Sequence, residues 1–257
     1  MKVVILAGGF GTRISEESHL IPKPMVEIGG MPILWHIMKI YSAYGFNDFI
    51  ICCGYKQHVI KEYFADYFLY RSDITFDFTQ NGKMIVHSNE SEPWRVTLVD
   101  TGLNTMTGGR VKRVRKYIGD EAFMLTYGDG VADVDLHALL RFHRANGHIA
   151  TLTAVNIGQR FGVLDIAPDG RIADFREKND ADGGRVNAGF MVLEPKIFDL
   201  IDGDDTIFEK QTLEACAAMG ELDAFIHNGL WKPMDTLREK QQLEALWAGG
   251  SAPWKIW

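Results

Sequence analysis

The sequence predicts an α/β protein whose central sheet begins with parallel strands, and three features lead to this prediction. Residues 3–6 form a continuous apolar run that is typical of a strand buried on both faces. Apolar residues at helical spacing over 33–44 precede a second apolar run at 49–53. A second amphipathic segment follows at 57–68, which completes a strand–helix–strand–helix order.

Size, charge and cysteine usage restrict the class of protein. The chain has 257 residues, 46% of them hydrophobic, which is enough for one large core, and its net charge of −7 argues against a nucleic-acid-binding surface. We find no stretch that is apolar and long enough for a signal peptide or a membrane span. Cys52, Cys53 and Cys216 form no CxxC pattern, so we expect buried, reduced thiols and a cytoplasmic protein.

The turn after the first strand, LAGGFGTR, predicts a loop that binds the phosphates of a nucleotide. Its glycines allow a sharp turn and bring backbone N–H groups close to a ligand, and Arg13 adds a planar set of donors suited to phosphate. A Walker A loop is excluded because no GK[ST] follows, and the third glycine of a dinucleotide fingerprint is replaced by Ile14. A plain tight connection between strand and helix remains the alternative.

Lys23 stands between Pro22 and Pro24, and this arrangement predicts a lysine held in an extended conformation. A fixed ammonium group could be presented to a phosphate. The alternative is a solvated lysine in a proline turn.

Two aspartates are candidate ligands for Mg²⁺. Asp129 lies between glycines directly after the apolar run 121–127, where open α/β sheets bind ligands. A turn or cap role is the alternative for Asp129, although Asp133 or Asp135 is better placed to cap the helix expected at 136–146. Asp235 precedes the last long helix, so an N-cap role is an equal alternative for it.

Other segments complete the predicted organisation. A second glycine-rich turn at 100–110 is expected to open a basic helix from 111 to 117, either as a ligand loop or as a helix start capped by threonine. A hairpin is predicted around Pro168-Asp169-Gly170, and a helix over 209–219. His137 and His143 are six residues apart and share no helical face, so we expect solvated side chains. The aromatic tail 252–257 is expected to dock on the body or on a neighbour.

Several motifs together resemble a known family. LAGGFGTR, PKPMVEIGGMPIL, YGDGVADVD, FREK, NAGF and WKPMDTLR occur in this order along the chain. They resemble the signature of the sugar-1-phosphate nucleotidylyltransferases. EPWRVTLVDTG, MTGGRVKR, RFGVLDI and the APWK ending are similar to the branch of that family that acts on glucose 1-phosphate and CTP.

The resemblance implies a three-layer αβα, Rossmann-like nucleotidyltransferase fold with a mixed, mainly parallel central sheet and added β-hairpins. It implies one domain, 1–257, in which residues 1–150 mainly bind nucleotide. Residues 151–257 would mainly bind the sugar phosphate and contribute to oligomerisation. The implied reaction converts CTP and α-D-glucose 1-phosphate to CDP-glucose and pyrophosphate in a homo-oligomer, expected to be a hexamer. UTP or dTTP, another sugar 1-phosphate, or a catalytically silent nucleotide-binding relative remain as alternatives.

The resemblance also implies roles for individual residues. The nucleotide would be bound by Leu6, Ala7, Gly8, Gly9, Phe10, Gly11, Thr12, Arg13, Lys23, Thr105, Arg110 and Gly128. Within this set Arg13 and Lys23 would be catalytic, and Thr105 and Arg110 would distinguish cytosine from uracil. Asp129 and Asp235 would share the Mg²⁺ cofactor. Lys178, Asn187 and Gly189 would bind the sugar phosphate.

Overall fold

A computed structural model describes residues 1–10, 21–156 and 184–257, together with the backbone of two strands at 163–166 and 172–176. The strands are β1 (Val3–Leu6), β2 (Glu27–Ile28), β3 (Met31–Pro32), β4 (Asp48–Cys53), β5 (Ser72–Asp77), β6 (Lys83–Asn89), β7 (Arg95–Asp100), β8 (Phe123–Tyr127), β9 (Gly130–Ala132), β10 (Ala150–Asn156), β11 (Val163–Ile166), β12 (Ile172–Arg176), β13 (Arg185–Asn187), β14 (Met191–Leu193), β15 (Leu222–His227) and β16 (Trp231–Pro233). The α-helices are α1 (Ile33–Ala43), α2 (Gln57–Tyr70), α3 (Thr107–Arg113), α4 (Arg115–Ile118), α5 (Leu136–Asn146), α6 (Leu213–Ala218) and α7 (Leu237–Ala248). Short 3₁₀ turns lie at Lys23–Met25, Phe78–Gln80 and Pro195–Leu200, and a π-turn at Phe208–Thr212.

The central sheet is mixed and mainly parallel, as predicted. Its order is β13-β10-β14-β8-β1-β4-β7, and β15 runs parallel to β10. The strand β1 is parallel to both of its neighbours, β4 and β8, and β4 is parallel to β7. Antiparallel pairing begins at β14, which joins β8 to β10. The carboxyl ends of β1 and β8 therefore lie side by side at the same end of the sheet.

Two hydrophobic clusters cover the two faces of the sheet, which gives the three layers. Along β1 the side chains alternate between them: Val3 and Ile5 belong to one cluster, and Val4 and Leu6 to the other. All four are buried, as a strand covered on both faces requires. The helix α1 packs in the first cluster, and the segment from the π-turn to α6 packs in the second.

The start of α3 differs from the prediction. The helix begins at Thr107, not at 111, and thus includes Gly108 and Gly109. Their lack of a side chain serves close packing: a Cβ on Gly108 would lie 2.7 Å from the carbonyl oxygen of Thr206, and one on Gly109 would lie 2.6 Å from Asp204. The glycines therefore let the helix approach the 204–206 segment, a long-range contact that the local pattern does not reveal.

Other expectations have mixed outcomes. His143 was expected to be solvated, and this is wrong: it is 1% exposed and its Nδ1 lies 2.9 Å from Thr151 Oγ1. The helix expected over 209–219 begins as the π-turn and continues as α6. The antiparallel pairing of β11 with β12 confirms the predicted hairpin strands, whereas the turn between them lies outside the described residues.

The C-terminal segment docks on the body of the protein. Trp254 is fully buried, and its indole lies against His36 of α1 and Trp247 of α7. Cys52, Cys53 and Cys216 are buried and unpaired, as predicted. In the part of the chain that the structure describes, no helix is both long and apolar enough to cross a bilayer.

Candidate active site

A cleft of about 580 Å³ opens where β1 and β8 end. Its lining residues come mainly from the turn after β1, the 3₁₀ turn at Lys23–Met25, the loop before α3 and the end of β8. They are Leu6, Ala7, Gly8, Gly9, Phe10, Lys23, Pro24, Leu103, Asn104, Thr105, Met106, Thr107, Arg110, Tyr127, Gly128, Asp129 and Asp235. The sheet topology thus brings together residues from both ends of the chain at the edge where ligands bind in α/β folds.

Glycine suits the two positions after β1, Gly8 and Gly9, for different physical reasons. A Cβ on Gly8 would lie 2.2 Å from Nη1 of Arg110, so this position must be glycine for the arginine to pack beneath it. Among the residues that the structure describes, no atom lies within 4 Å of a Cβ placed on Gly9, so none of them requires glycine there. The exposed backbone there suits the predicted role in contacting a ligand.

Lys23 joins two carboxylates in the cleft. Its Nζ donates to Oδ2 of Asp129 at 2.6 Å and to Oδ1 of Asp235 at 2.5 Å. The lysine side chain is only 10% exposed, so it is held against these acids and is not solvated. Burial alone would lower the pKa of Lys23, but the ion pairs and hydrogen bonds with both aspartates outweigh it and raise the pKa. Lys23 is therefore charged at neutral pH.

The backbone around Lys23 differs from the expected extended conformation. Pro22 is extended, but Lys23 begins the 3₁₀ turn. Met25 N donates to Pro22 O at 2.8 Å, and Val26 N donates to Lys23 O at 3.1 Å. The prolines fix the entrance to this turn, and the turn aims the ammonium group at the two acids.

The alternative cap roles belong to other residues. Thr236 caps α7, because its hydroxyl accepts from Glu239 N and the Glu239 carboxylate accepts from Thr236 N, which forms a capping box. Asp135 caps α5 by accepting from Ala138 N at 2.8 Å. Asp235 is therefore not the N-cap residue of α7, and its carboxylate contacts Lys23. Asp129 leads into β9 and its carbonyl accepts from Met234 N.

The two aspartates could act as ligands for a Mg²⁺ ion whose other ligands are phosphate oxygens and water. Both carboxylates reach a single nitrogen atom, so they converge on one point. Among the described residues, no group of three or more His, Cys, Asp or Glu side chains could hold a metal by itself. One or two carboxylates with phosphate oxygens and water are the ligands that Mg²⁺ commonly takes in phosphoryl-transfer sites.

Thr105 and Arg110 lie on one wall of the cleft. The guanidinium of Arg110 donates to Thr101 Oγ1 at 2.8 Å, to Gly102 O at 2.7 Å and to Leu103 O at 3.1 Å. Arg110 is 5% exposed, and burial lowers its pKa. These contacts make Arg110 a support of the 101–103 loop. Its role and that of Thr105 in base recognition stay predictions.

The predicted sugar-binding residues contact Tyr127, which lines the cleft. Asn187 Nδ2 donates to Tyr127 Oη at 3.4 Å, and Gly189 N donates to Asn187 Oδ1 at 2.9 Å. Gly189 has φ +76°, and a Cβ there would lie 2.9 Å from the Tyr127 ring, so the turn requires glycine. Gly11, Thr12, Arg13 and Lys178 lie outside the described residues, and their roles stay predictions.

Sequence reasoning missed several residues at this site, among them Tyr127 and Glu209. Tyr127 is the residue before Gly128-Asp129, so its place at the end of a strand could have drawn attention to it. Glu209, whose carboxylate accepts from Tyr127 Oη at 2.7 Å, lies in a segment without any motif. Its position depends on a contact between residues 82 positions apart.

Fold and site together are those of a nucleotidyltransferase: residues 2–237 match the nucleotidyl transferase family, and the chain belongs to it. The resemblance noted in the sequence is thereby confirmed. The chain is 60% identical to the glucose-1-phosphate cytidylyltransferase of Salmonella typhimurium over the whole length of both chains. It is 44% identical to a probable glucose-1-phosphate cytidylyltransferase of Bacillus subtilis, again over both whole chains.

Solved structures share the fold at low identity. HddC from Yersinia pseudotuberculosis superposes with a TM-score of 0.69 at 24% identity, covering 96% of this chain and 99% of that one. A UDP-glucose pyrophosphorylase complexed with UDP-glucose gives a TM-score of 0.69 at 17% identity, covering 97% and 98% of the two chains. These similarities confirm the predicted fold class.

Proposed function

We propose that this nucleotidyltransferase transfers a cytidylyl group from CTP to α-D-glucose 1-phosphate, giving CDP-glucose and pyrophosphate. The observation that carries the chemistry is the convergence of Lys23, Asp129 and Asp235 in one cleft beside the glycine-rich turn. The choice of substrates is supported by the full-length identity of 60% to a glucose-1-phosphate cytidylyltransferase.

The reaction requires no enzyme nucleophile. A phosphate oxygen of the sugar phosphate attacks the α-phosphorus of CTP, and the bond from that phosphorus to the oxygen bridging to the β-phosphate breaks. Pyrophosphate leaves with the bonding electrons. Because two polyanions must meet in line, the main barrier is one of charge and orientation.

The predicted site residues match this requirement. Lys23 would contact the α-phosphate as negative charge builds there, and Arg13 would neutralise the departing pyrophosphate. Asp129 and Asp235 would hold Mg²⁺, which neutralises phosphate charge when it is bound. The backbone of residues 6–13 would surround the ribose and triphosphate.

The second half of the chain would select the sugar. Lys178 would bind its phosphate, while Asn187 and Gly189 would face its hydroxyl groups.

The base would be selected by residues of the first half of the chain. Thr105 and Arg110 would distinguish cytosine, with its 4-amino donor and N3 acceptor, from uracil.

A substrate screen tests the proposal. Pyrophosphate release is measured with each of four nucleoside triphosphates against a panel of sugar 1-phosphates, with and without Mg²⁺. We expect release with CTP, glucose 1-phosphate and Mg²⁺ at a kcat/KM well above that of any other pair. A preference for UTP or dTTP, or for another sugar, would contradict the assignment. No release with any pair would favour the catalytically silent relative.

We also propose that the protein is a homo-oligomer, with a hexamer as the expected form, that works in the cytoplasm. The hairpin β5–β6 and the end of α2 expose several large apolar side chains, among them Tyr70 and Phe78, each 84% exposed. Such a surface favours burial against a second copy. The unpaired cysteines are compatible with a reducing compartment.

A further inference from the structure

The carboxylate of Glu209 joins two walls of the cleft. Its Oε1 accepts from Tyr127 Oη at 2.7 Å, and its Oε2 accepts from Thr107 Oγ1 at 2.7 Å. Tyr127 ends β8 and Thr107 begins α3, and both line the cleft. Glu209 lies in the π-turn at Phe208–Thr212, an irregularity that often marks functional positions in helices.

The hydrogen bond to Glu209 determines whether the Tyr127 hydroxyl acts as a donor or as an acceptor toward other groups. A phenol has one proton to donate, and in Tyr127 that proton is directed to Glu209. Burial and then the charge of Glu209 raise the pKa of Tyr127, so the phenol keeps its proton. Because its proton is used, the phenol oxygen can make further hydrogen bonds only as an acceptor. It accepts one from Asn187 Nδ2 at 3.4 Å.

The place of Tyr127 in the sheet indicates which substrate it meets. The glycine-rich turn follows β1, on one side of β8. The other side of β8 is β14, and the turn before β14 brings Asn187 and Gly189 against Tyr127. The phenol hydroxyl therefore contacts the residues that are predicted to bind the sugar. A sugar ring offers hydroxyl donors to such an acceptor.

We propose that Glu209 is a positioning residue that holds Tyr127 Oη as a hydrogen-bond acceptor for a hydroxyl group of the sugar 1-phosphate. This inference rests on the proposed function and deepens it. The second oxygen of the same carboxylate remains bound to Thr107.

Conservative variants test the inference. Tyr127→Phe keeps the ring that packs on Gly189 and removes only the hydroxyl. Glu209→Gln keeps the shape of the side chain but replaces one acceptor oxygen with a donor. Glu214→Gln is the matched control, because Glu214 is exposed on the following helix, α6. Steady-state kinetics give separate KM values for glucose 1-phosphate and CTP, and thermal melting with glucose 1-phosphate alone gives binding without turnover.

Each single variant should raise the KM for glucose 1-phosphate about tenfold, the order expected for a lost buried hydrogen bond, while the KM for CTP stays within about twofold. The double variant should be no worse than the poorer single, because both changes remove one interaction. Mono-deoxyglucose 1-phosphates identify the sugar hydroxyl that donates to Tyr127. Tyr127→Phe should use the analogue that lacks this hydroxyl with the same kcat/KM as glucose 1-phosphate. Glu214→Gln should behave as wild type.

Three results would overturn the inference: unchanged KM for the sugar phosphate in Tyr127→Phe, an equal rise in the KM for CTP, or additive effects in the double variant. A loss of melting temperature without a change in sugar-phosphate affinity would make Glu209 a structural tether only. Failure of the proposed function is seen separately, as absence of CTP-dependent pyrophosphate release with glucose 1-phosphate in the wild-type protein.

Discussion

At the scale of single residues, the site depends on one lysine held by two acids. Two carboxylates that converge on one point repel each other unless a cation lies between them. Lys23 supplies that cation, at 2.6 Å from Asp129 and 2.5 Å from Asp235. In the proposed mechanism this ammonium group would contact the α-phosphate, and the two acids would hold Mg²⁺.

Replacing Lys23 by alanine should lower kcat/KM by about 10²–10³, or roughly 3–4 kcal/mol of transition-state stabilisation, with the fold retained. Circular dichroism and pyrophosphate release check the two parts. Lys39→Ala is the control, because Lys39 forms a 2.7 Å ion pair with Glu92, and neither residue lines the cleft. Turnover near the wild-type value in Lys23→Ala would exclude the role assigned to this lysine.

Asp129→Asn and Asp235→Asn should each raise the Mg²⁺ concentration needed for half-maximal activity, because an amide binds the cation less strongly than a carboxylate. Titration of activity with Mg²⁺ measures this change. Asp135→Asn serves as the control, since asparagine can still cap α5. If only one of the two cleft variants responds, the metal has a single protein carboxylate.

At the scale of elements, helix starts decide which side chains are available to the site. The capping box formed by Thr236 and Glu239 satisfies the start of α7 and leaves the adjacent Asp235 carboxylate to contact Lys23. Similarly, Gly108 and Gly109 let α3 approach 204–206, which places Thr107 within reach of Glu209. Local helix-end chemistry thus has consequences for the cleft.

Thr236→Ala should lower the free energy of unfolding by about 1 kcal/mol, because it removes the hydroxyl that accepts from Glu239 N. Denaturant unfolding monitored by circular dichroism measures the loss. Thr236→Ser retains the cap and should stay close to the wild type. An unaltered unfolding free energy in the alanine variant would show that the capping box does not contribute to stability.

At the scale of the whole molecule, the sheet brings the two ends of the chain to one cleft. The docked tail contributes Trp254 to the same hydrophobic cluster that contains α1 and part of β1. The hairpin β5–β6 has the opposite character, since Phe76, Phe78 and Met84 are exposed. The C-terminal segment thus completes a buried core, whereas the hairpin presents an exposed apolar surface of the kind that a second copy of the chain can cover.

Phe78→Ser combined with Met84→Ser should shift the assembly to a smaller oligomer, because it removes apolar area from the proposed interface. Light scattering after size-exclusion chromatography measures the mass. Met219→Ser is the control, since Met219 is 56% exposed but follows α6, outside the hairpin. An unchanged mass would remove the hairpin from the interface, and a monomeric wild-type protein would contradict the homo-oligomer.

The sequence by itself determined the central strands β1, β4 and β8, the longer helices α1, α2, α5 and α7, and the choice of Lys23 and Asp129 as candidates for one site, because these depend on periodicity and on residues close together in the chain. Only the tertiary structure decided that Asp235 is no cap, that Arg110 supports a loop, that His143 is buried and that Glu209 belongs beside the cleft. These outcomes depend on contacts between distant residues: Lys23 and Asp235 are 212 positions apart, and Tyr127 and Glu209 are 82 apart. A local pattern carries no information about such pairs, whereas the order of strands in the sheet fixes them.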